Sequence, residues 1–124
     1  MMRVLLADDR PKIRFALRLL LERQPGIEVV GEAADAEELL VRAMATFPDV
    51  VLLDWELPKL ALDGCSLSAL RGVCPQLCVI VLSGRPETRK TALAAGADAF
   101  VSKIDPPERL LAAVRNAGTD NVSS

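Results

Sequence analysis

Five polar residues, each standing at or just after the end of a short apolar run, are of types that could do chemistry together: Asp8, Asp9, Asp54, Ser83 and Lys103. Three carboxylates in one cleft repel one another, and a hard divalent cation such as Mg²⁺, which prefers oxygen ligands, makes such a cluster tolerable. A carboxylate beside that cation can attack phosphorus, while a lysine and a hydroxyl hold the oxygens of a phosphoryl group. The set therefore predicts phosphoryl transfer assisted by Mg²⁺.

The elements that must position these residues follow from an alternation of apolar runs with amphipathic stretches. Five such rounds predict an α/β fold, a doubly wound five-stranded parallel sheet with helices on both faces. Asp35, with Glu38 three residues later, resembles a capping box at a helix start, and Gly96 is a plausible left-handed helix terminator. The predicted strands are 3–7, 27–31, 50–53, 78–82 and 99–101, and the predicted helices are 11–22, 35–45, 64–72, 86–95 and one that begins at Asp105.

The strand order decides which of the polar residues meet. Ligands of open parallel sheets bind beyond the carboxyl ends of the strands, where the strand order reverses. In the order 2-1-3-4-5 this reversal lies between the first and third strands, which end at Asp8, Asp9 and Asp54. We therefore expect these three carboxylates to share one cleft.

Composition excludes several other classes of function. The 124 residues fit one domain, the net charge of -2 does not favour direct nucleic-acid binding, and no apolar run approaches the length of a membrane span. The chain has no histidine, so Cys65, Cys74 and Cys78 lack a partner for a zinc site and are expected to be structural thiols. No secretion signal is visible at the N-terminus, and we expect a cytoplasmic protein with no membrane partner.

The pattern Asp8-Asp9, Asp54, Ser83, Phe100 and Lys103 resembles the receiver domain of two-component response regulators, most closely the receivers of LuxR-type helix-turn-helix regulators. The resemblance implies a flavodoxin-like three-layer sandwich over residues 1–118, followed by a frayed tail or the start of a linker at 119–124. It also implies phosphorelay signal transduction, in which the domain is not an enzyme beyond its own phosphorylation and dephosphorylation.

The resemblance further implies a role for each site residue. Asp54 would become the 4-aspartylphosphate. Mg²⁺ (or Mn²⁺) would be bound by Asp9, Asp54 and the backbone carbonyl of Glu56, with Asp8 acting through water. Ser83 and Lys103 would contact the phosphoryl group, and Phe100 would be an aromatic switch that turns inward when Ser83 moves.

The implied partners are a sensor histidine kinase or phosphotransfer protein, and an attached or partner effector that regulates transcription. A homodimer through helices 4 and 5 and strand 5 is implied by the same analogy. The domain itself contains no recognition helix or basic stripe, so no direct contact with nucleic acid is expected.

Four features depart from the family pattern or lie beside its site. The loop from Asp54 to Gly64 carries two additional residues, and Ile104 follows Lys103 where many receivers have proline, which predicts a trans bond. Glu56 and Arg85 are predicted to pair and to gate water. Trp55 is interpreted either as an exposed contact residue or as a lid over the acidic pocket.

The sequence is also compatible with simpler interpretations of these residues and with other functions. Asp8 and Asp9 could merely cap the helix near Pro11, Phe100 could be an ordinary core residue, and Lys103 a solvated charge. The chain could be a receiver-like dimerisation or interaction module that works without phosphorylation. The chain has no substrate-specificity segment of the kind that a metal-dependent phosphatase needs. It also has no loop after the first strand that could cradle the phosphate of a flavin.

Overall fold

The computed structural model describes residues 1–61 and 64–123, with the surroundings of side chains described for 1–61 and 64–117. The strands are β1 (Met2–Ala7), β2 (Ile27–Ala33), β3 (Val50–Asp54), β4 (Cys78–Ser83) and β5 (Ala99–Ser102). The helices are α1 (Pro11–Glu22), α2 (Ala36–Thr46), α3 (Cys65–Val73), α4 (Arg89–Ala94) and α5 (Pro107–Ser123), with a 3-10 turn at Pro86–Thr88 before α4. The frayed tail predicted at 119–124 falls outside the described side chains, and Ser124 outside the described chain.

All pairings in the sheet are parallel, and the strand order is β2-β1-β3-β4-β5. The predicted order is therefore confirmed. β1 and β3 lie side by side in the centre, in a register that pairs Val4 with Val50 and Ala7 with Leu53. Their carboxyl ends consequently reach the same edge of the sheet, next to the end of β4.

The core has two halves, one on each face of the sheet. Alternate residues of a strand point to opposite faces, so Leu5 and Val51 belong to one apolar cluster, while Val4 and Val50 belong to the other. The first cluster includes residues of α2, α3 and α4, and the second includes residues of α1 and α5. Since every residue of β3 is buried, the central strand holds Asp54 in a fixed position at its end.

The helix ends show which local structure could be predicted from the sequence. Asp35 accepts a hydrogen bond from the Glu38 backbone at 2.8 Å, as the predicted capping box requires, and Glu38 accepts one at 3.0 Å from the backbone of Ala34, one residue before the N-cap. Gly96 has the predicted left-handed φ of 112°. The predicted helix at 86–95 differs from the structure in its first turn, which is the 3-10 turn at Pro86–Thr88, and α5 begins at Pro107 rather than Asp105.

Both interpretations of Trp55 were wrong, because its side chain is only 4% exposed and belongs to the first core cluster. Its backbone N–H donates to the carbonyl of Leu82 at 3.0 Å, so the chain continues alongside β4 after Asp54. Val51, Leu53 and Trp55 then alternate onto the same face, and the indole is directed inward. None of the helices in the described ranges is long and apolar enough to cross a membrane.

Candidate functional site

Three carboxylates meet at the carboxyl edge of the two central strands. Asp8 and Asp9 follow β1, Asp54 ends β3, and one oxygen from each lies within 4.8 Å of the others. Asp8 and Asp54 are buried, with 2% and 3% of their surface exposed, whereas Asp9 is exposed. The predicted cleft is therefore present, with one open side through which a ligand could enter.

Lys103 is directed into this cleft from the end of β5. Its Nζ lies 3.2 Å from Asp54 Oδ1 and 3.3 Å from Asp8 Oδ2. Its backbone N–H donates to the carbonyl of Ser83 at 2.9 Å, which fixes the loop that carries it. The interpretation of Lys103 as a solvated charge is wrong, because its ammonium neutralises two buried carboxylates.

The pKa values of the two buried carboxyl groups are shifted in opposite directions. Burial raises the pKa of Asp54 above its ordinary value, and the hydrogen bond from the Glu56 backbone and the charge of Lys103 offset this only partly. Burial also acts to raise the pKa of Asp8, but the hydrogen bonds from Arg10 and the charge of Lys103 outweigh it and bring that pKa below its ordinary value. The Asp54 anion is thus the less well stabilised of the two.

Arg10 belongs to the site, although the sequence analysis missed it. Its Nε lies 3.3 Å from Asp8 Oδ1, and its Nη2 lies 3.8 Å from Asp54 Oδ2. The Arg10 backbone N–H also donates to Asp8 Oδ1 at 2.9 Å, so Asp8 binds the residue that precedes α1 rather than the end of the helix itself. The only signal in the sequence was that Arg10 directly follows two acids, and the same order of charges is common in solvent-exposed turns.

Ser83 is 1% exposed at the end of β4. Its Oγ accepts hydrogen bonds from the Arg85 backbone at 3.0 Å and from Thr88 Oγ1 at 3.1 Å. The hydroxyl is therefore tied to the 3-10 turn that leads into α4. Thr88 is a second residue that the sequence analysis did not identify, and only the turn brings it next to Ser83.

The predicted pair of Glu56 and Arg85 is confirmed, with Arg85 Nε 3.1 Å from Glu56 Oε1. Both side chains line a cavity of about 450 Å³ together with Ser83 and Thr88. The Glu56 backbone N–H donates to Asp54 Oδ1 at 3.1 Å, so the start of the loop is held against the acceptor carboxylate. Leu62 and Asp63, within the predicted insertion, fall outside the described residues.

Phe100 lies on β5, paired in register with Val81, and is half-buried against the first core cluster. Its role as a switch stays a prediction. Ile104 is 78% exposed, and the described part of the chain has no cis peptide bond, as expected for the bond after Lys103.

The donor set fits a hard divalent cation. Three carboxylate oxygens within 4.8 Å of one another are ligands of the kind that Mg²⁺ selects, and the exposed Asp9 leaves an open side for the waters that Mg²⁺ retains. The described residues around the cleft offer no sulfur or imidazole ligand, which a softer metal would prefer. The backbone carbonyl of Glu56 as a ligand stays a prediction.

Comparisons with known proteins agree on one family. Residues 4–115 match the family model described as "Response regulator receiver domain". The chain is 36% identical over 118 residues to the nitrate/nitrite response regulator protein NarL of Escherichia coli, covering 92% of this chain and 53% of NarL. It is also 36% identical to the transcriptional regulatory protein LiaR of Bacillus subtilis, covering 94% of this chain and 56% of LiaR.

A solved structure gives the same result. The crystal structure of a two-component response regulator of the LuxR family from Aurantimonas sp. SI85-9A1 superposes with a TM-score of 0.83 at 32% identity, covering 92% of this chain and 82% of that one. This chain spans about half the length of the two curated relatives.

Proposed function

Because this chain belongs to the response-regulator receiver family, we propose that Asp54 accepts a phosphoryl group from a histidine kinase or phosphotransfer protein, in a reaction that requires Mg²⁺ or Mn²⁺. Phosphorylation is characteristic of this family. The single observation that supports the proposal best is the buried carboxylate of Asp54, 3.2 Å from Lys103 and within a cluster of three acids.

In the proposed reaction a carboxylate oxygen of Asp54 forms the new bond to phosphorus. The bond between phosphorus and the donor's imidazole nitrogen breaks, and its electron pair remains on that nitrogen, which takes up a proton. Asp9 and Asp54, with the Glu56 carbonyl and with Asp8 through water, would hold the cation, whose charge would offset that of the phosphoryl oxygens. Asp54 needs to be ionised to attack, and the nearby ammonium of Lys103 favours that state.

Lys103 and Ser83 have the right chemistry to contact the transferred group. The ammonium of Lys103 supplies a positive charge, and the Ser83 hydroxyl supplies a donor for one equatorial oxygen. Lys103 already lies against Asp54 in the resting protein, so the product would gain this contact without a large rearrangement. We propose no turnover of other substrates, only the phosphorylation and dephosphorylation of Asp54.

The contacts of Ser83 support a switch. Its hydroxyl cannot turn toward a phosphoryl group on Asp54 without losing hydrogen bonds to Arg85 and Thr88. Such a loss would free the end of β4 from the 3-10 turn before α4, and in the proposed switch Phe100 on β5 would then turn inward. The proposed response is a shift between two packings of α4 and β5, which would change the outer surface of the domain.

The output is proposed from the relatives. The name of LiaR describes a transcriptional regulatory protein, and the matched part is about half of it. We propose an attached or partner effector that acts on transcription in the cytoplasm, and a homodimer through α4, β5 and α5, without direct contact of this domain with nucleic acid. Sedimentation that shows a monomer with and without a phosphoryl mimic would remove the dimer.

The test is the intact mass after incubation with acetyl phosphate and Mg²⁺, with a chelator control. Wild type is expected to gain one phosphoryl group, Asp54→Asn none, and Glu28→Gln, which alters an exposed acid on β2, the same as wild type. A gain that persists in Asp54→Asn would place the acceptor elsewhere. No gain in wild type, with acetyl phosphate or a cognate kinase, would favour the interaction module that works without phosphorylation.

A further inference from the structure

Arg10 fills the position where charge neutralisation is needed in the acidic cleft. Its guanidinium spans both oxygens of Asp8, with Nε 3.3 Å from Oδ1 and Nη2 3.4 Å from Oδ2, and the same Nη2 lies 3.8 Å from Asp54 Oδ2. The remaining oxygen of Asp54 accepts from the Glu56 backbone and faces Lys103. Both buried carboxylates therefore have each of their oxygens next to a donor or a cation of the protein.

This arrangement conflicts with a divalent cation bound by the same acids. Mg²⁺ requires direct oxygen ligands in near-octahedral geometry and keeps several waters, so it needs room on the open side of the cleft. Arg10 approaches the buried acids beside Asp9, the one exposed acid of the cluster. A guanidinium and a divalent cation also repel each other at contact distance.

Of the two cations in the cleft, Arg10 is the one that can leave. Its side chain is 50% exposed, whereas that of Lys103 is 20% exposed. The Lys103 backbone N–H is hydrogen-bonded to the Ser83 carbonyl, and the Lys103 ammonium faces both buried acids. Arg10 precedes the first turn of α1, is exposed and belongs to neither of the two core clusters, so its side chain can rotate into solvent.

We propose that Arg10 is a built-in competitor of the divalent cation: in the resting domain its guanidinium neutralises Asp8 and Asp54, and it must swing out before the cation binds. This inference rests on the proposed function, since it concerns the same cation. The resting fold then tolerates its buried acids without metal. In return, the receiver requires a higher concentration of free Mg²⁺ before Asp54 can be phosphorylated.

The experiment is a Mg²⁺ titration of the metal-free protein, followed by the fluorescence of Trp55 and by calorimetry. Trp55 is the only tryptophan and adjoins Asp54 in the chain, so its emission can report binding without any phosphorylation. The variants are Arg10→Gln, which removes the charge, and Arg10→Lys, which keeps the charge but loses the planar guanidinium that contacts both oxygens of Asp8. Lys12→Gln is the matched control, because it removes an exposed positive charge two residues away.

We expect Arg10→Gln to lower the Kd for Mg²⁺ about fivefold, the size that a partly exposed ion pair supports, and Arg10→Lys to lower it less. Lys12→Gln is expected to change it by less than about twofold. Without metal, Arg10→Gln should unfold at a lower urea concentration, and added Mg²⁺ should stabilise it more than it stabilises wild type.

Two results would overturn the inference while leaving the proposed function intact: a Kd for Arg10→Gln equal to or higher than that of wild type, or an equal decrease in Lys12→Gln. Mg²⁺ binding by Arg10→Gln but not by wild type would support it in its strongest form. The absence of Mg²⁺ binding in every variant would overturn both the inference and the cation in the proposed function.

Discussion

The Arg85 guanidinium and the Glu56 carboxylate meet at 3.1 Å, and both residues line the cavity that also contains Ser83. Glu56 follows the acceptor Asp54 by two residues, and Arg85 follows Ser83 by two. The pair therefore joins the loops after β3 and β4. With 68% and 57% of their side chains exposed, these two residues are positioned to cover the site rather than to stabilise the fold.

Breaking this pair is expected to shorten the life of the phosphorylated protein. Arg85→Ala should release Glu56 and admit water to the aspartyl phosphate, so that the phosphoryl group is lost several times faster, with little change in the free energy of unfolding. The measurement is the decay of the phosphorylated mass after removal of the phosphodonor. Arg89→Ala, an exposed arginine at the start of α4, is the control. An unchanged decay in Arg85→Ala would show that the pair does not limit access of water.

Replacing Lys103 should harm both stability and phosphorylation. Lys103→Met leaves Asp8 and Asp54 without the ammonium that lies 3.3 and 3.2 Å away, which we expect to cost about 1–2 kcal/mol of the free energy of unfolding at neutral pH. The rate of phosphorylation should fall at least about tenfold, because a charge aimed at the phosphoryl oxygens is lost.

Urea denaturation and intact mass measure these two effects. Lys90→Met, at an exposed position of α4, should change neither. When Lys103→Met is combined with Asp54→Asn, it should lower the free energy of unfolding by less than it does alone, since the two side chains interact directly. If the changes in unfolding free energy of Lys103→Met and Asp54→Asn simply add in the double variant, the direct contact between Lys103 and Asp54 is contradicted.

Asp54→Asn is expected to stabilise the metal-free protein at neutral pH. Burial raises the pKa of Asp54, so the folded state disfavours its anion, and an isosteric neutral amide relieves that penalty by on the order of 1 kcal/mol. A carboxyl group with a raised pKa stabilises the fold at low pH and loses that contribution as the pH rises through its folded pKa.

The advantage of Asp54→Asn over wild type should therefore shrink as the pH falls from neutral toward 3.8, the ordinary value for the Asp54 carboxyl. The test is a set of urea curves for both proteins in a chelator across this range. Comparing the two proteins removes the part of the opposite contribution of Asp8, whose pKa is lowered, that does not depend on the charge of Asp54. An advantage that grows toward low pH would contradict the raised pKa of Asp54.

Trp55 is expected to be a main support of the core beneath the site. Trp55→Ala removes a side chain that is 4% exposed and should cost about 3–5 kcal/mol of the free energy of unfolding, while Trp55→Phe should cost less than half of that. Phe15→Ala, at a ring that is 63% exposed on α1, serves as the control and should cost less than about 1 kcal/mol. A loss under about 1 kcal/mol for Trp55→Ala would contradict its place in the core.

The sequence by itself determined the fold and most of the site. Apolar runs of strand length between amphipathic stretches specify a parallel sheet, because only a strand covered on both faces can be apolar throughout, as Val50 to Leu53 is. The end of each strand then specifies which side chains share an edge, so Asp8, Asp54 and Lys103 could be placed together. The capping box of α2 was equally predictable, because its hydrogen bonds are local.

Only the tertiary structure decided which way individual side chains point and which partners they meet. Trp55 is inside because the chain continues beside β4 past Asp54, which no local pattern specifies. Arg10 reaches both Asp8 and Asp54 because the ends of β1 and β3 converge at the sheet edge. Thr88 binds Ser83 because the 3-10 turn after β4 brings it back to the end of that strand. The opposite pKa shifts of Asp8 and Asp54 have the same origin, since desolvation and neighbouring charges depend on distances across the fold.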